Sequence, residues 1–522
     1  MSSLSTQVLV IGGGTTGLGI AWDAALRGLK VVLIEQSDIG QGTSGRHHGL
    51  LHSGGRYALS DPASARDCAS ENRILRKIAS HTIEDTGGLF VATPSDPVDY
   101  PDRWFSACSH LNIPVEEISL STMLEREPLL NPRISRSFLV QDASIDSFDL
   151  AHLLVKGIQE HGGVVLLRHR LESLIRHQDR LVEAKIKDIS NGTSLRLSAN
   201  LFINAAGPWA KTITTMAEVE LPLALGKGTL VAMSHRLVNT VVNRCKRPSD
   251  GDIIVPVGTV AILGTTDVPV KEPTSLDIQP WEVDLLLAEG DLLLPGLRDS
   301  RPLRAWAGIR PLYQPAENGN AHTRALLRAH VVLDHEETDG LQCFISVIGG
   351  KLTTFRLMAE EAVDLICDKL EIDQKCSTAS TPLPHESGQF HSLPSRLEKL
   401  EEHPYPHSIN DQIVCECELV MRGDIELVLE NSPAVTDLDD LRRDLRIGMG
   451  PCQAGFCAYR ACAISSEHFS SPPSLKGLHN FVYERWKGIR PVAWGSTLQQ
   501  MEFSRRIYLD LLAAGPESEN RS

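Results

Sequence analysis

The sequence predicts an α/β protein with three parts: a parallel-sheet N-terminal domain of Rossmann type, a domain built on a mainly antiparallel sheet, and a small helical C-terminal module. Three observations carry this. Residues 7–36 (QVLVIGGGTTGLGIAWDAALRGLKVVLIEQ) read as strand, glycine turn, helix, strand. Between residues 222 and 348 the period changes to short β-rich segments separated by turn residues. Beyond Leu370 the chain becomes rich in Pro, Ser, His and Glu, and a cysteine-bearing helical segment follows.

In the N-terminal unit, the apolar run 8–11 stops at Gly12-Gly13-Gly14-Thr15-Thr16-Gly17, a G-x-G-x-x-G with Ala21 four residues on. Gly12 lets the strand turn, Gly14 lets backbone touch a pyrophosphate, and Gly17 lets the helix sit close on the sheet. The helix N-terminus then faces the pyrophosphate. The run 31–34 ends on Glu35, at the distance expected of a carboxylate that holds adenosine ribose hydroxyls. Together these predict a dinucleotide site. Residues 40–57 (GQGTSGRHHGLLHSGGRY) are too rich in Gly, Ser and His for a second strand–helix unit. They read as a loop wrapped along the cofactor, with Thr43, Ser44, Gly45 and His48 as candidate contacts. A flavin end needs such a loop, so the dinucleotide is read as FAD and not NAD.

Composition bounds the rest. A chain of 522 residues with 42% hydrophobic residues can bury large cores and should form two or three domains. The formal net charge of −15, without a basic stripe interleaved with aromatics, argues against nucleic acid as a partner. An anionic substrate would need local cations. No charged n-region precedes an apolar stretch at the N-terminus, and no run approaches the roughly 18 apolar residues of a membrane span. The expectation is a cytoplasmic protein, or one peripheral on the membrane through partners. Eleven cysteines without an export signal suggest reduced thiols.

In chain order, residues 63–79 carry a helical pattern over the cofactor domain, with Cys68 as a core thiol. Residues 142–163 read as a turn and a helix with Leu150, Leu153, Leu154 and Ile158 on one face, followed by a strand at 164–167. Residues 200–209 form an apolar strand ending in Ala-Ala-Gly-Pro, where Gly207 allows close approach of FAD or simply makes a turn. Segments 228–233, 252–257, 260–264, 330–334 and 342–348 predict the antiparallel sheet that roofs the active site, with a helix at 281–294. Arg310, in RAWAGIRPLY (304–313), sits among apolar neighbours and must find an anion. In 344–361 (FISVIGGKLTTFRLMAEE) a strand meets Gly349-Gly350, and a helix opens with Lys351, Leu352, Thr353 and Thr354. Free amides and an ammonium there would stabilise negative charge on the flavin N1/C2 oxygen edge, unless this is an ordinary capped helix.

TSGRHHGLLHSGGRY, GTTD (264–267), AGIRPLY and GGKLTTFRLMAE resemble the signature stretches of FAD-dependent glycerol-3-phosphate dehydrogenases, within the glycine-oxidase-like (DAO-like) flavoproteins. The likeness runs over nearly the whole chain, and the C-terminal third resembles the A subunit of the anaerobic form. The resemblance implies oxidation of sn-glycerol 3-phosphate to dihydroxyacetone phosphate, with the phosphate held by Arg56, Arg310 and Lys351. It also implies a second flavoprotein subunit, a membrane-attached iron–sulfur subunit on the inner face of the membrane, and delivery of electrons to a menaquinone or other quinone pool. Where aerobic relatives carry a lysine-containing segment, this chain has Arg46, His47 and His48. Independently, hydride transfer to a flavin needs a base for the hydroxyl proton and cations for an anionic handle. His52 is the candidate base, with a flavin-positioning or structural role as its alternative; His48 is a weaker candidate.

Residues 376–410 read as a linker with one short helix at 396–402. The module at 413–465 carries Cys415-Glu416-Cys417, then 34 residues, then Cys452-Gln453-Ala454-Gly455-Phe456-Cys457, with helical patterns at 423–430 and 438–446. Two tight thiol pairs in a reduced compartment call for zinc or iron–sulfur. The C-x-C pair and the turn 448–451 resemble the bacterioferritin-associated ferredoxin (BFD) type, which implies a [2Fe-2S] cluster on Cys415, Cys417, Cys452 and Cys457, with Cys462 as the alternative fourth ligand. The tail 477–512, with a helix at 498–512, either docks a partner through its aromatics or packs on the chain itself. The expected division is an FAD-dependent region at 1–375, with cofactor parts at 1–210 and 340–375 and a substrate part at 211–339. A linker at 376–411, the cluster domain at 412–465 and a docking segment at 466–522 complete it. Two other readings remain: an FAD dehydrogenase of an amino acid, opine or 2-hydroxy acid, and a non-enzymatic iron–sulfur assembly or sensing subunit.

Overall fold

The computed structural model describes residues 2–315, 323, 329–384, 401, 408–431, 437–468 and 475–511. At its centre lies β1 (Ser2–Ile11), whose fully buried apolar run Val8, Leu9, Val10 and Ile11 pairs parallel with β2 (Val31–Ile34) on one side and with the strand Ser194–Asn204 on the other. Burial on both faces explains the unbroken apolar run. Val164–Leu166 continues the sheet beyond β2, and Phe344–Gly349 lies parallel to Ser194–Asn204. Five parallel strands thus carry the glycine turn at their C-terminal edge, where an open α/β sheet binds ligands. Helix α1 (Thr15–Leu26) has no polar face because the sheet lies on one side and helices Ser147–Glu160 and Phe355–Lys369 on the other.

Three assignments differ from the sequence expectation. The strands His330–Asp334 and Phe344–Gly349, expected in the roof at 330–334 and 342–348, pair antiparallel with each other and belong to the cofactor sheet, with His330–Asp334 closing its edge. Conversely Gly88–Ala92, Val115–Ile118 and Arg136–Val140, inside the stretch expected to bind cofactor, belong to the roof sheet. The physical reason is common to both: a short buried strand has the same local pattern in either sheet, and only its partners decide its membership. His169–His177 and Arg180–Asp188, which the sequence reading passed over, extend the cofactor sheet as an antiparallel meander. Their alternation is broken by a β-bulge between Leu171 and Ser173.

The roof is a nine-stranded sheet, antiparallel except where Val241–Arg244 runs parallel to Gly88–Ala92. Its longest pair, Leu223–Met233 against Pro302–Tyr313, forms one end of the sheet and reaches over the glycine turn, and helix Pro280–Leu293 covers the sheet's far face with Val283, Leu286 and Leu287. The C-terminal module is helical around Val414, Ile425, Leu441, Ile447, Ala458 and Ala461. Leu478 and Phe481 of helix Leu475–Ile489, with Tyr508 beyond, complete that core, so this part of the tail packs on the chain itself. Tyr483, Trp494 and Phe503 stay exposed. The expected helix 498–512 begins earlier, at Gly495, and runs to Arg506 before a wider turn; the short helix expected at 396–402 lies outside the described residues except for Glu401. No helix among the described residues is long and apolar enough to cross a membrane.

The module sits on the cofactor domain through ion pairs. Arg443 is buried and holds Asp38, Asp439 and Asp440, Arg168 reaches Asp440, and Arg446 bridges Asp146 and Glu418. His152 Nε2 lies 2.7 Å from Asp444. Burial lowers the His152 pKa, but the Asp444 carboxylate outweighs it and lifts the value to about 9. A raised pKa means stability that is complete below the unfolded value near 6.5 and is lost as pH rises through about 9. The expected result is that the melting temperature of the natural protein falls relative to His152→Gln between about pH 7 and 10. A constant offset across that range would show that this pair does not contribute.

Candidate active site and thiol centre

The glycine turn packs backbone directly on backbone. Gly12 has φ +118°, and a Cβ there would lie 2.6 Å from the Ala205 carbonyl oxygen, while one on Gly17 would lie 2.0 Å from the Gly12 oxygen. Glu35 fixes the turn: its Oε2 accepts from the Gly13 amide at 2.7 Å and its Oε1 from the Ser37 amide at 2.8 Å. Burial raises its pKa while these amides pull it down. Each oxygen keeps a lone pair for a ribose hydroxyl. Ser44 Oγ accepts from the Thr15 amide at 3.0 Å, at the first turn of α1, and Thr43 donates to the Ile309 carbonyl at 2.5 Å, tying the loop to the roof.

Gly12, Gly14, Glu35, Thr43, Ser44, His48, His52, Arg56, Gly207, Arg310, Gly350, Lys351 and Leu352 all line one cavity of about 700 Å³. Gly17 and Gly45 pack beside it, and Thr353 stands just behind, its Oγ1 accepting from the His52 amide at 3.1 Å. The sequence-predicted residues are therefore one constellation. Its size and its mix of backbone amides, apolar walls and cations fit a dinucleotide with a small anionic substrate at one end.

The cations are held by partners the sequence reading did not identify. Arg56 Nη2 lies 2.8 Å from Asp252, which is fully buried; burial alone would lower the arginine pKa, and Asp252 raises it. Arg310 Nη1 lies 2.9 Å from Asp267, and its Nη2 donates to Thr265 Oγ1 and to the Thr266 carbonyl. The bare backbone of Gly228 admits this guanidinium, since a Cβ there would meet Arg310 Nη2 at 2.4 Å. Lys351 Nζ stands 4.5 Å above the Tyr57 ring. Asp267 was visible within GTTD, and the rule that a buried arginine needs an anion was the available signal. His48 Nδ1 accepts from the Leu50 amide at 3.2 Å, which leaves the proton on Nε2. Burial, then the neighbouring His52, His47, Arg56 and Arg310, push its pKa well below the usual value, so it is a neutral donor.

In the module, the four predicted thiols lie together: Cys457 touches Cys415 and Cys452, and Cys452 touches Cys417. Amides aim at them, from Gly448 and Glu418 onto Cys415, from Ala454 and Gly455 onto Cys452, and from Cys452 onto Cys417. Gly450 allows the approach, since its Cβ would lie 2.3 Å from that of Cys417. Cys462, further along helix Cys457–His468, is raised by burial alone. Among the described residues no three ligating side chains are arranged around one point as a single ion would require. A row of thiols with amide donors is the donor set that thiolates holding an iron–sulfur centre need.

Residues 7–365 match the family model described as FAD dependent oxidoreductase. The chain is 40% identical over 98% of its length to the A subunit of the anaerobic glycerol-3-phosphate dehydrogenase of Haemophilus influenzae, covering 94% of that protein. It is equally identical over 99% of its length to the corresponding protein of Escherichia coli K12, covering 98% of it. The chain belongs to the FAD dependent oxidoreductase family, in the branch of these A subunits. Among solved structures, the Bacillus halodurans glycerol-3-phosphate dehydrogenase complexed with FAD superposes with a TM-score of 0.61, at 22% identity, over 99% of this chain and 97% of that one. Glycine oxidase from Geobacillus kaustophilus gives 0.56 at 19% identity over 74% of the chain and all of that protein. This flavoprotein thus has the mixed-sheet α/β fold that its family's FAD site requires.

Proposed function

We propose that this flavoprotein oxidises sn-glycerol 3-phosphate to dihydroxyacetone phosphate, with FAD in the cavity above the glycine turn. The observation that carries the reading is the meeting of Arg56, Arg310 and Lys351 in that cavity, three cations matched to a phosphate dianion. When bound, FAD supplies a two-electron acceptor for the hydride from the substrate carbinol carbon. The chain supplies the rest. Arg56 and Arg310, each steadied by a buried aspartate, and Lys351 hold the phosphate and so orient the carbinol C–H. His52 accepts the hydroxyl proton, and His48, with its proton on Nε2, serves as a donor. The amides at Leu352 and Thr353, ahead of helix Phe355–Lys369, favour negative charge at that end of the cavity.

Cys415, Cys417, Cys452 and Cys457 hold a [2Fe-2S] cluster in this reading, supported by their mutual contacts and amide donors. A two-electron flavin beside a one-electron centre hands electrons to another redox protein. The partners are a membrane-attached iron–sulfur subunit leading to quinone and a second flavoprotein subunit, with this chain peripheral on the membrane.

A visible spectrum of anaerobically purified protein tests this. Both flavin and [2Fe-2S] absorption are expected, with flavin bleaching on addition of glycerol 3-phosphate and none with lactate or proline. Zinc without iron by elemental analysis would refute the cluster. Cys415→Ser is expected to remove the cluster signal and leave substrate-driven bleaching, because the thiols and the flavin cavity are built from different elements. Joint loss would show that the two sites depend on each other.

A further inference from the structure

A second cavity, of about 960 Å³, opens between the C-terminal module and the roof strand Pro302–Tyr313. Eight Arg and Lys side chains line it against five Asp and Glu, in a chain whose overall charge is −15. Much of the acid is already neutralised: Asp439 by Arg442 and Arg443, and Asp146 by Arg446. Four guanidinium groups come to it from four elements, Arg46 from the loop after β2, Arg304 from the roof strand, Arg442 from helix Leu438–Leu445 and Arg485 from helix Leu475–Ile489. Arg304 and Arg485 make no ion pair among the described residues, and the Nε of each is buried without a hydrogen-bond partner there. Arg485 is only 6% exposed, and it donates from Nη1 to the Gly448 carbonyl at 3.2 Å. Room for Arg304 is kept by Gly488, where a Cβ would lie 2.7 Å from Nη2.

Buried arginines facing one another without an anion are unfavourable, and stacking on Trp306, Phe481 and Phe148 is a weak compensation. Burial, and then the neighbouring arginines, lower the pKa of Arg304 to about 10 and that of Arg485 well below its usual value. The missing partner has to be an anion. A carboxylate offers two coplanar oxygens, whereas guanidinium groups supplied by separate elements, with Arg304 and Arg485 unpaired among the described residues, suit the several oxygens of a tetrahedral phosphate. Aromatic walls from Trp306, Phe481 and Trp486 and the cavity volume, at the upper end of small-molecule sites, leave room for a planar organic group beside it. We propose that this cleft is a second ligand site of the flavoprotein, taking a phosphate-bearing organic anion of nucleotide size. The Arg485–Gly448 hydrogen bond links it to the turn whose amide faces Cys415, so occupancy bears on the thiol centre.

The test uses the full-length holoprotein, with inorganic phosphate and AMP as probes, followed by calorimetry and by the fluorescence of Trp306 and Trp486. Saturable binding of AMP and weaker binding of phosphate are expected. Arg304→Met and Arg485→Met should each weaken AMP binding at least about tenfold, the loss of one charge-assisted hydrogen bond. Arg310→Ala should leave AMP binding unchanged, which separates this cleft from the flavin cavity. Neither methionine variant should melt below the natural protein in phosphate-free buffer, because each removes an uncompensated buried charge. Absence of saturable binding at millimolar AMP, or equal binding by Arg304→Met, would overturn the proposal. So would tighter binding of a glutamate decamer than of AMP, which would assign the cleft to an acidic segment of a partner protein.

Discussion

Arg310→Ala is expected to lower kcat/KM for glycerol 3-phosphate by roughly one to two powers of ten. A charge-assisted hydrogen bond is worth about 1.5–3 kcal/mol, and its loss appears in kcat/KM when the contact is made in the transition state. The geometry adds a second cause in the same direction. Asp267 is almost completely buried and, among the described residues, Arg310 is the charged group in contact with it; without the guanidinium its carboxylate faces the cavity and repels the phosphate. Arg310→Lys keeps the charge and should retain part of the activity, but a single ammonium cannot reproduce the split fork that reaches Asp267, Thr265 and Thr266 together. The double variant Arg310→Ala/Asp267→Asn should recover some of the loss, since it removes the exposed anion as well. The comparison substrate is glycerol, which has no dianion. If Arg310→Ala slows glycerol and glycerol 3-phosphate by the same factor, Arg310 does not read the phosphate.

What was legible in the sequence is what local chemistry decides. The apolar run 8–11, the three glycines and Glu35 lie within 28 residues, and each is constrained by its near neighbours, so strand, turn, helix and cofactor cradle could be read together. The thiols were legible as two tight pairs, each fixed by its near neighbours, and the fold brings the pairs into contact, Cys457 with Cys415 and Cys452, and Cys452 with Cys417. Sheet membership was not legible for Gly88–Ala92, whose partner Val241–Arg244 lies about 150 residues on, nor for His330–Asp334, which joins the cofactor sheet only through Phe344–Gly349, itself paired with Ser194–Asn204 about 140 residues earlier. Distance in the sequence likewise hid Asp252 as the partner of Arg56. Arg56 meets Asp252 and Arg310 meets Asp267 only after the roof strands have folded over the cofactor sheet. The aromatic tail left both readings open, since Phe481 and Tyr483 lie two residues apart on one helix and face the core and the solvent respectively.

Arg443→Ala is expected to cost about 3–5 kcal/mol of stability, the range for removing one partner from a buried ion pair. Arg443 is about 1% exposed at its side chain and holds three carboxylates at once: Asp38 from the loop after β2, and Asp439 and Asp440 from its own helix. Burial already raises the Asp38 pKa, and Arg443 is the largest influence pulling it back. Truncation leaves Asp38 and Asp440 as neighbouring buried anions, with Arg168 to serve Asp440. The cost falls on the contact between module and cofactor domain, because Asp38 belongs to one and Arg443 to the other. Calorimetry should therefore show an early separate transition for the module, and substrate should still bleach the flavin while reducing the cluster signal more slowly. Asp38→Asn/Arg443→Met should be milder than Arg443→Ala, as it removes the charges on both sides and keeps the apolar volume. If Arg443→Ala melts in a single transition within about 0.5 kcal/mol of the natural protein, the size of a neutral surface change, this ion-pair network does not hold the module in place.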